Sequence, residues 1–119
     1  MTTLKRSDCA VLHLVLKRQW FTLIESGVKH VEFREASDYW NVRIANWCWN
    51  IHDGKKAVLE FQCGYSRFWP RMAFYAGRHG EGKLFMRMSA ADPVQHRDLG
   101  EFAKDRYVLF IGERVILED

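Results

Sequence analysis

The clearest structural pattern in the sequence lies in residues 11–34, VLHLVLKRQWFTLIESGVKHVEFR. It begins with a nearly continuous apolar run over residues 11–16, which is typical of a short buried strand. Over residues 19–26 the apolar positions recur at helical spacing, and Gly27 follows as a residue that commonly ends a helix. Residues 31–34 alternate between apolar and charged side chains, which predicts a strand with one solvent-exposed face. The stretch therefore predicts a strand, a two-turn helix and a second strand.

A group of charged residues lies where the predicted helix meets the second strand. Residues 27–34 have the pattern G-x-K-x-x-E-x-R. Lys29 falls in the turn, while Glu32 and Arg34 share one face of the strand, about 7 Å apart by strand geometry. A carboxylate held between two cations orients both of them. Lys29, Glu32 and Arg34 are therefore expected to converge beside the helix, where they suit an anion or the polar edge of a base. The alternative is a surface ion-pair set worth about 0–1 kcal/mol.

The rest of the chain predicts several short strands and one longer helix. Ser37 or Asp38 is expected to cap a helix that runs through Trp47, and Asp53 with Gly54 marks a turn. Further strands are predicted at residues 57–63, 71–78, 83–88, 107–111 and 114–117, the last two split by Gly112, with a loop and one short helix over residues 90–104. This pattern favours an α+β fold, a mixed β-barrel with two or three short helices. Residues 1–10 are expected to be a flexible segment before a single domain over residues 11–119.

Composition limits the class of protein. With 119 residues, 48% of them hydrophobic, and a net charge of +3, the chain is expected to fold around a core of its own. An odd number of cysteines without a CxxC pair, and scattered histidines, predict neither disulfides nor a metal site, and no cofactor is expected. The chain lacks an apolar run of about 20 residues and a signal-peptide pattern at residues 1–8, which predicts a cytoplasmic protein that does not span a membrane.

Charge is unevenly spread along the chain. Residues 1–34 carry six Lys and Arg against three Asp and Glu, and residues 61–88 carry five against one. Residues 35–60 and 89–119 are neutral to acidic. If the fold joins the two basic segments, the molecule has a positive face suited to nucleic acid; otherwise these charges only solvate the surface.

The strand, the helix and the G-x-K-x-x-E-x-R motif together resemble the ASCH family. A small, phage-like subgroup of that family is similar beyond the motif, in three further segments: an aromatic helix start at residues 38–40, a Gly-Tyr loop at residues 63–67 and a terminal strand at residues 107–113. The resemblance covers about residues 11–114. It implies a PUA-like β-barrel whose motif lines a cleft beside the first helix, and it implies binding of RNA or nucleotides.

The resemblance also implies possible enzyme activity. Some members of the family are amidohydrolases that deacetylate N4-acetylcytidine, and others are reported as ribonucleases. The amidohydrolases use the motif lysine, a threonine at the position of the motif glutamate, and a later glutamate. Here Lys29 matches the lysine, but Glu32 occupies the threonine position and no later glutamate can be aligned.

The predicted ligand-binding residues combine the motif with nearby cations and rings: Lys17, Lys29, Glu32, Arg34, Tyr39, Trp40, Tyr65, Ser66 and Arg67. Tyr65 is expected to stack on a base and Arg67 to bind a phosphate, or else the loop only caps the barrel. One of Tyr39 and Trp40 is expected to reach the cleft, whereas Trp20 is expected to pack in the core.

Three hypotheses about function remain open. The first is a module that binds RNA, single-stranded nucleic acid or a modified nucleoside. The second is a small hydrolase with Lys29 and Glu32 as the reacting pair, Glu32 or Glu60 as general base, and Arg34 stabilising negative charge. The third is an interaction module whose aromatic surface binds another protein. The oligomeric state is left open.

Overall fold

The computed structural model describes residues 1–65, 70–77, 85–87 and 106–119, with backbone alone for residues 85–87. The strands are β1 (Thr3–Lys5), β2 (Cys9–Leu16), β3 (Val31–Glu35), β4 (Lys56–Cys63), β5 (Arg71–Ala76), β6 (Phe85–Arg87) and β7 (Arg106–Glu118). The helices are α1 (Arg18–Glu25) and α2 (Asp38–His52), and a 3-10 turn covers Arg6–Asp8. The predictions for residues 78–84 and 90–104 lie outside the described residues.

The strands form one mixed sheet. Its order is β1-β7-β5-β4-β2, and β3 and β6 pair with the first half of β7. The pairs β1–β7 and β2–β4 are parallel, and the other pairs are antiparallel. The parallel β2–β4 pair requires a long crossover, which α1, β3 and α2 provide. The predicted α+β class with a mixed sheet is confirmed.

The two ends of the strand path β2-β4-β5-β7-β3 approach each other. The guanidinium of Arg34 on β3 donates from Nη2 to the carbonyl oxygen of Val15 on β2, at 3.1 Å. A side chain therefore bridges these two strands, and the sheet curls into a barrel-like shape with an opening between β2 and β3.

The core lies on the inner face of this curled sheet. Its centre includes fully buried side chains from β2, β4 and β7: Leu14, Leu59, Phe61 and Leu109. Both helices cover it. Phe21 and Ile24 are the buried residues of α1, and the indole of Trp47 on α2 donates to the carbonyl of Ala10 at 2.9 Å. Each fully buried apolar side chain of this size stabilises the fold by roughly 1.5–3 kcal/mol.

The predicted ends of both helices agree well with the structure. Gly27 has φ +80°, and its amide donates to the carbonyl of Ile24 at 3.1 Å, as expected for a helix that ends there. Ser37 is the N-cap of α2, and its side chain accepts from the amide of Trp40 at 3.4 Å. Helix α2 is longer than predicted, because it continues past Trp47 to His52. No helix in the described ranges is both long and apolar enough to cross a membrane.

Residues 1–10 have more structure than the flexible segment that the sequence predicts. Strand β1 pairs in parallel with the end of β7, and the Ile116 amide donates to the carbonyl of Thr2 at 2.9 Å. Leu4 is buried against Cys9, Val58 and Val115 on the outer face of the sheet. This second apolar cluster gives the segment burial that a short polar sequence does not reveal.

Strand β7 is continuous, whereas the sequence predicts two strands split by Gly112. A Cβ atom at Gly112 would lie 2.9 Å from the carbonyl oxygen of Tyr75 and 3.3 Å from the Cα of Gly77. The glycine therefore permits a close approach of β7 to the end of β5, where the pairing register shifts between Phe74 and Ala76.

Candidate functional site

A cleft opens between the end of β2 and the edge of β3. Its volume is about 830 Å³, within the range of ligand-binding cavities. Helix α1 and the end of β4 form its walls, so residues distant in sequence meet there. The lining consists of Val15, Leu16, Lys17, Trp20, Lys29, Glu32, Phe33, Arg34, Gly64, Tyr65 and Arg106.

The three motif residues converge in this cleft, as predicted. Glu32 accepts from Lys29 Nζ at 2.8 Å and from Arg34 Nη2 at 2.9 Å, through different carboxylate oxygens. The backbone amide of Phe33 also donates to Glu32, at 3.2 Å. The spacing of the motif explains this arrangement, since Lys29 is in the turn before β3 and the other two alternate with Phe33 along it.

The charged side of β3 is covered, whereas the sequence predicts that it faces solvent. The Glu32 side chain is only 7% exposed, and those of Lys29 and Arg34 are each 19% exposed. The reason is the curl of the sheet, which brings α1 and the end of β2 over this side. Among the described residues, Arg34 Nε is buried without a hydrogen-bond partner, so one donor of the guanidinium is unused by them.

Two tryptophans contact the cations of the motif. Lys29 Nζ lies 5.0 Å from the ring centre of Trp20, and the Arg34 guanidinium lies 5.1 Å from that of Trp40. Both distances are typical of cation–π contacts. The prediction that Trp20 packs in the core is wrong: it is 42% exposed, because α1 turns Phe21 and Ile24 inward instead.

The other predicted site residues are not all in the cleft. Lys17 and Tyr65 line it, and Tyr65 is 93% exposed. Trp40 contacts Arg34 of the motif but does not itself line the cleft. Tyr39 lies on the exposed side of α2, where its ring contacts the guanidinium of Arg43. Ser66 and Arg67 lie outside the described residues.

Sequence reasoning missed Phe33 and Arg106 as lining residues. Arg106 begins β7, more than seventy residues after the motif, and stands opposite Glu35 in the β3–β7 ladder. Only this pairing brings it to the cleft. Arg106 could be identified from the sequence only by predicting which strand pairs with residues 31–35.

Glu60, the second predicted candidate for a general base, lies on the opposite face of the sheet. Its carboxylate accepts from Arg6 Nη2 at 2.6 Å and pairs with His13 Nδ1 at 2.9 Å. Burial raises the pKa of this carboxyl group, but the hydrogen bonds from Arg6 and His13 outweigh burial, and the pKa is lowered. Glu60 is therefore a structural anion outside the cleft.

Within the described ranges, the cysteines form no disulfide and the metal-ligating side chains form no cluster. Cys9, Cys48 and Cys63 are free thiols, and burial raises the pKa of Cys9 and of Cys48. Across residues 1–65, 70–77 and 106–119, no three His, Cys, Asp or Glu side chains are grouped to hold a metal ion.

Comparison with known proteins gives no match: no family model, curated protein or solved structure matches this chain.

Proposed function

We propose that the cleft binds a nucleotide or a short single-stranded nucleic acid, RNA above all, and that the chain is a PUA-like domain of the ASCH type. The observation that carries the proposal is the Lys29–Glu32–Arg34 triad, which lies in the wall of a ligand-sized cavity beside the exposed ring of Trp20. The strand–helix–motif order that resembles the ASCH family supports the same reading.

The charge of the cleft favours an anion. Counted over the described residues, its lining holds four cations, Lys17, Lys29, Arg34 and Arg106, and one anion, Glu32, which gives a formal charge of 4 − 1 = +3. Glu32 fixes the positions of two of these cations, and preorganised donors lose little freedom when a phosphate binds. Arginine and lysine together are the usual partners of phosphate groups.

The rings of the cleft favour a ligand with a flat, apolar face. Trp20 and Tyr65 are both exposed and both line the cavity. Stacking of a base on an aromatic ring contributes about 1–3 kcal/mol and tolerates any base. Stacking of this kind needs an unpaired base, so the cleft suits single strands or free nucleotides better than a duplex.

Binding is better supported than hydrolysis. A general base needs a carboxylate oxygen within reach of the proton that it takes. The carboxylate of Glu32 already accepts from Lys29, Arg34 and the Phe33 amide. It is arranged to hold cations in place, and the Lys29 ammonium that it holds is a poor nucleophile while it is charged.

The test is binding of a uridine hexaribonucleotide, rU6, to wild type and to Lys29→Gln at low salt, measured by fluorescence anisotropy. Loss of the ammonium group removes one charge-assisted hydrogen bond to a ligand phosphate, which is expected to weaken binding roughly 10- to 100-fold. Lys55→Gln is the matched control, because Lys55 is exposed beyond the far end of α2.

The expected pattern is tight binding by wild type and by Lys55→Gln, and weak binding by Lys29→Gln, with circular dichroism showing that all three proteins are folded at the assay temperature. Equal binding by all three proteins, or no binding of rU6, of a DNA hexamer or of uridine monophosphate, contradicts the proposed function. Turnover of N4-acetylcytidine that depends on Lys29 would favour the hydrolase hypothesis instead.

A further inference from the structure

A chain of polar contacts on the outer face of the sheet ends at the wall of the cleft. His13 on β2 stands opposite Glu60 on β4, and its Nδ1 lies 2.9 Å from Glu60 Oε1. Its Nε2 lies 3.0 Å from Gln62 Oε1. The amide nitrogen of Gln62 donates onward to the carbonyl oxygen of Gly64, at 2.8 Å.

The two side chains that contact the His13 ring both offer it an acceptor oxygen. The carboxylate of Glu60 can only accept while it is ionised. The amide of Gln62 uses its nitrogen toward Gly64, so its oxygen faces His13 and also only accepts. Both contacts are therefore hydrogen bonds at the same time only when both ring nitrogens of His13 carry protons.

A neutral His13 cannot keep the whole chain of contacts. If the remaining proton stays on Nδ1 beside Glu60, the lone pair of Nε2 faces the Gln62 oxygen. Rotation of the Gln62 amide by half a turn satisfies His13 but places the amide oxygen against the Gly64 carbonyl. Either arrangement loses a hydrogen bond, so the two protonation states of His13 favour different positions of Gln62.

Gly64 connects this chain to the cleft. Its amide donates to the carbonyl of Leu16 at 2.9 Å, its carbonyl accepts from Gln62, and its φ is +72°. Gly64 and the following Tyr65 both line the cavity. The Gln62 contact therefore fixes the peptide that carries the Tyr65 ring.

We propose that protonated His13 positions the Gly64–Tyr65 wall of the cleft through Gln62, and that ligand binding weakens when His13 loses its proton. This step rests on the proposed function, since it concerns the same cleft. His13 and Gln62 are positioning residues, because neither lines the cavity.

The charged groups that face His13 and its partners come from several elements. Glu60 faces it from β4, and Arg6 from the 3-10 turn binds the other oxygen of Glu60. Asp119 binds Arg6, and Arg71 lies beside Gln62 in the β4–β5 register. Among these residue types, histidine is the one that ordinarily changes charge between about pH 5 and 8.

The first test follows the protein alone by NMR over this pH range. The ring nitrogens of His13 and the carbonyl carbon of Gly64 are expected to shift with one common midpoint in wild type. In Gln62→Leu, His13 still titrates but the Gly64 carbonyl no longer follows it. If the chemical shift of the Gly64 carbonyl stays constant while the His13 signals change in wild type, the proposal is overturned. This result does not depend on which ligand the cleft binds.

The second test measures rU6 binding over the same range, because phosphodiesters do not titrate there. Wild type is expected to lose about three- to tenfold in affinity as pH rises, the factor that one ordinary hydrogen bond produces. His13→Gln and Gln62→Leu are expected to bind independently of pH. His30→Gln is the control, because His30 is an exposed histidine next to Lys29, and it should keep the dependence of wild type.

The two tests separate this proposal from the proposed function. Failure of rU6 to bind at every pH, with the Gly64 response intact, contradicts the proposed function and supports the coupling of His13 to the wall. Binding whose pH dependence survives in His13→Gln overturns the coupling and supports the proposed function.

Discussion

Glu32 and Glu60 are both buried acids, and each holds two basic side chains. Glu32 faces the cleft with Lys29 and Arg34, whereas Glu60 faces outward with Arg6 and His13. A buried carboxylate keeps its charge only where donors compensate for lost hydration. The same residue type thus serves a candidate site on one face of the sheet and the stability of the fold on the other.

The first prediction concerns the acid stability that Glu60 confers. The pKa of Glu60 in the folded protein is lower than the ordinary value of 4.5. As pH falls, Glu60 is therefore protonated in the unfolded chain at a higher pH than in the folded protein. The contribution of Glu60 to stability is therefore complete above about pH 4.5 and is lost as pH falls through its folded-state pKa. Glu60→Gln is expected to be less stable than wild type at neutral pH, with a smaller further loss in acid.

Urea unfolding at neutral and acidic pH measures both effects. Glu113→Gln is the control, because Glu113 is an exposed carboxylate on β7. It should keep the pH dependence of wild type. An equal loss of stability in acid for wild type and Glu60→Gln would contradict the prediction.

At the scale of elements, α2 depends on its first turn. Ser37 caps the helix through the amide of Trp40, and Asp38 adds a negative charge at the same end, where the helix dipole favours it. The cap also fixes the position of Trp40 in the first turn of α2. The Trp40 ring contacts Arg34 of the candidate site. The start of α2 is therefore connected to the cleft.

The second prediction is that Ser37→Ala lowers the free energy of unfolding by about 1 kcal/mol, the usual cost of losing an N-cap. Urea unfolding with circular dichroism measures it. Ser7→Ala is the matched control at an exposed serine, and it should change stability little. A Ser37→Ala protein as stable as Ser7→Ala would show that the weak 3.4 Å contact contributes nothing.

Local patterns predicted the elements well where the signal lies within a few residues. The apolar run before residue 17, Gly27 and Ser37 each act on their own neighbours, and the structure agrees with all three predictions. The convergence of Lys29, Glu32 and Arg34 is local in the same way, because one turn and one strand fix it.

Features that depend on distant pairing could not be predicted from these patterns. Arg106 reaches the cleft because β7 pairs with β3, and Leu4 is buried because β1 pairs with the end of β7. A glycine such as Gly112 usually indicates a break in a strand. Here β7 continues through it, because the missing Cβ allows close contact with the end of β5. In each case the cause is tertiary and lies far away in the sequence.

At the scale of the whole molecule, the distribution of charge decides which ligands the cleft attracts. Residues 1–34, the first basic segment, supply three of the four cations of the lining. The second basic segment, residues 61–88, contributes Arg71, which lies on the outer face beside Gln62 and not in the cleft. Among the described residues, the positive lining is therefore built from the first basic segment together with Arg106.

The last prediction follows from that lining. Each phosphate of a single strand that a protein neutralises contributes about −0.7 to the slope of log affinity against log salt. A lining with a net charge of 4 − 1 = +3 is expected to give a slope of about −2 for rU6. Lys17 has no ion pair with Glu32, unlike Lys29 and Arg34, so Lys17→Gln should reduce the slope to about −1.4.

Titration of rU6 between about 50 and 200 mM salt measures these slopes. Lys55→Gln, outside the lining, is expected to keep the slope of wild type. A slope near zero for wild type would show that the rings alone hold the ligand. Because Lys17 and Arg106 are far apart in the sequence, a slope near −2 that falls both with Lys17→Gln and with Arg106→Gln would show that closure of the sheet creates the phosphate site.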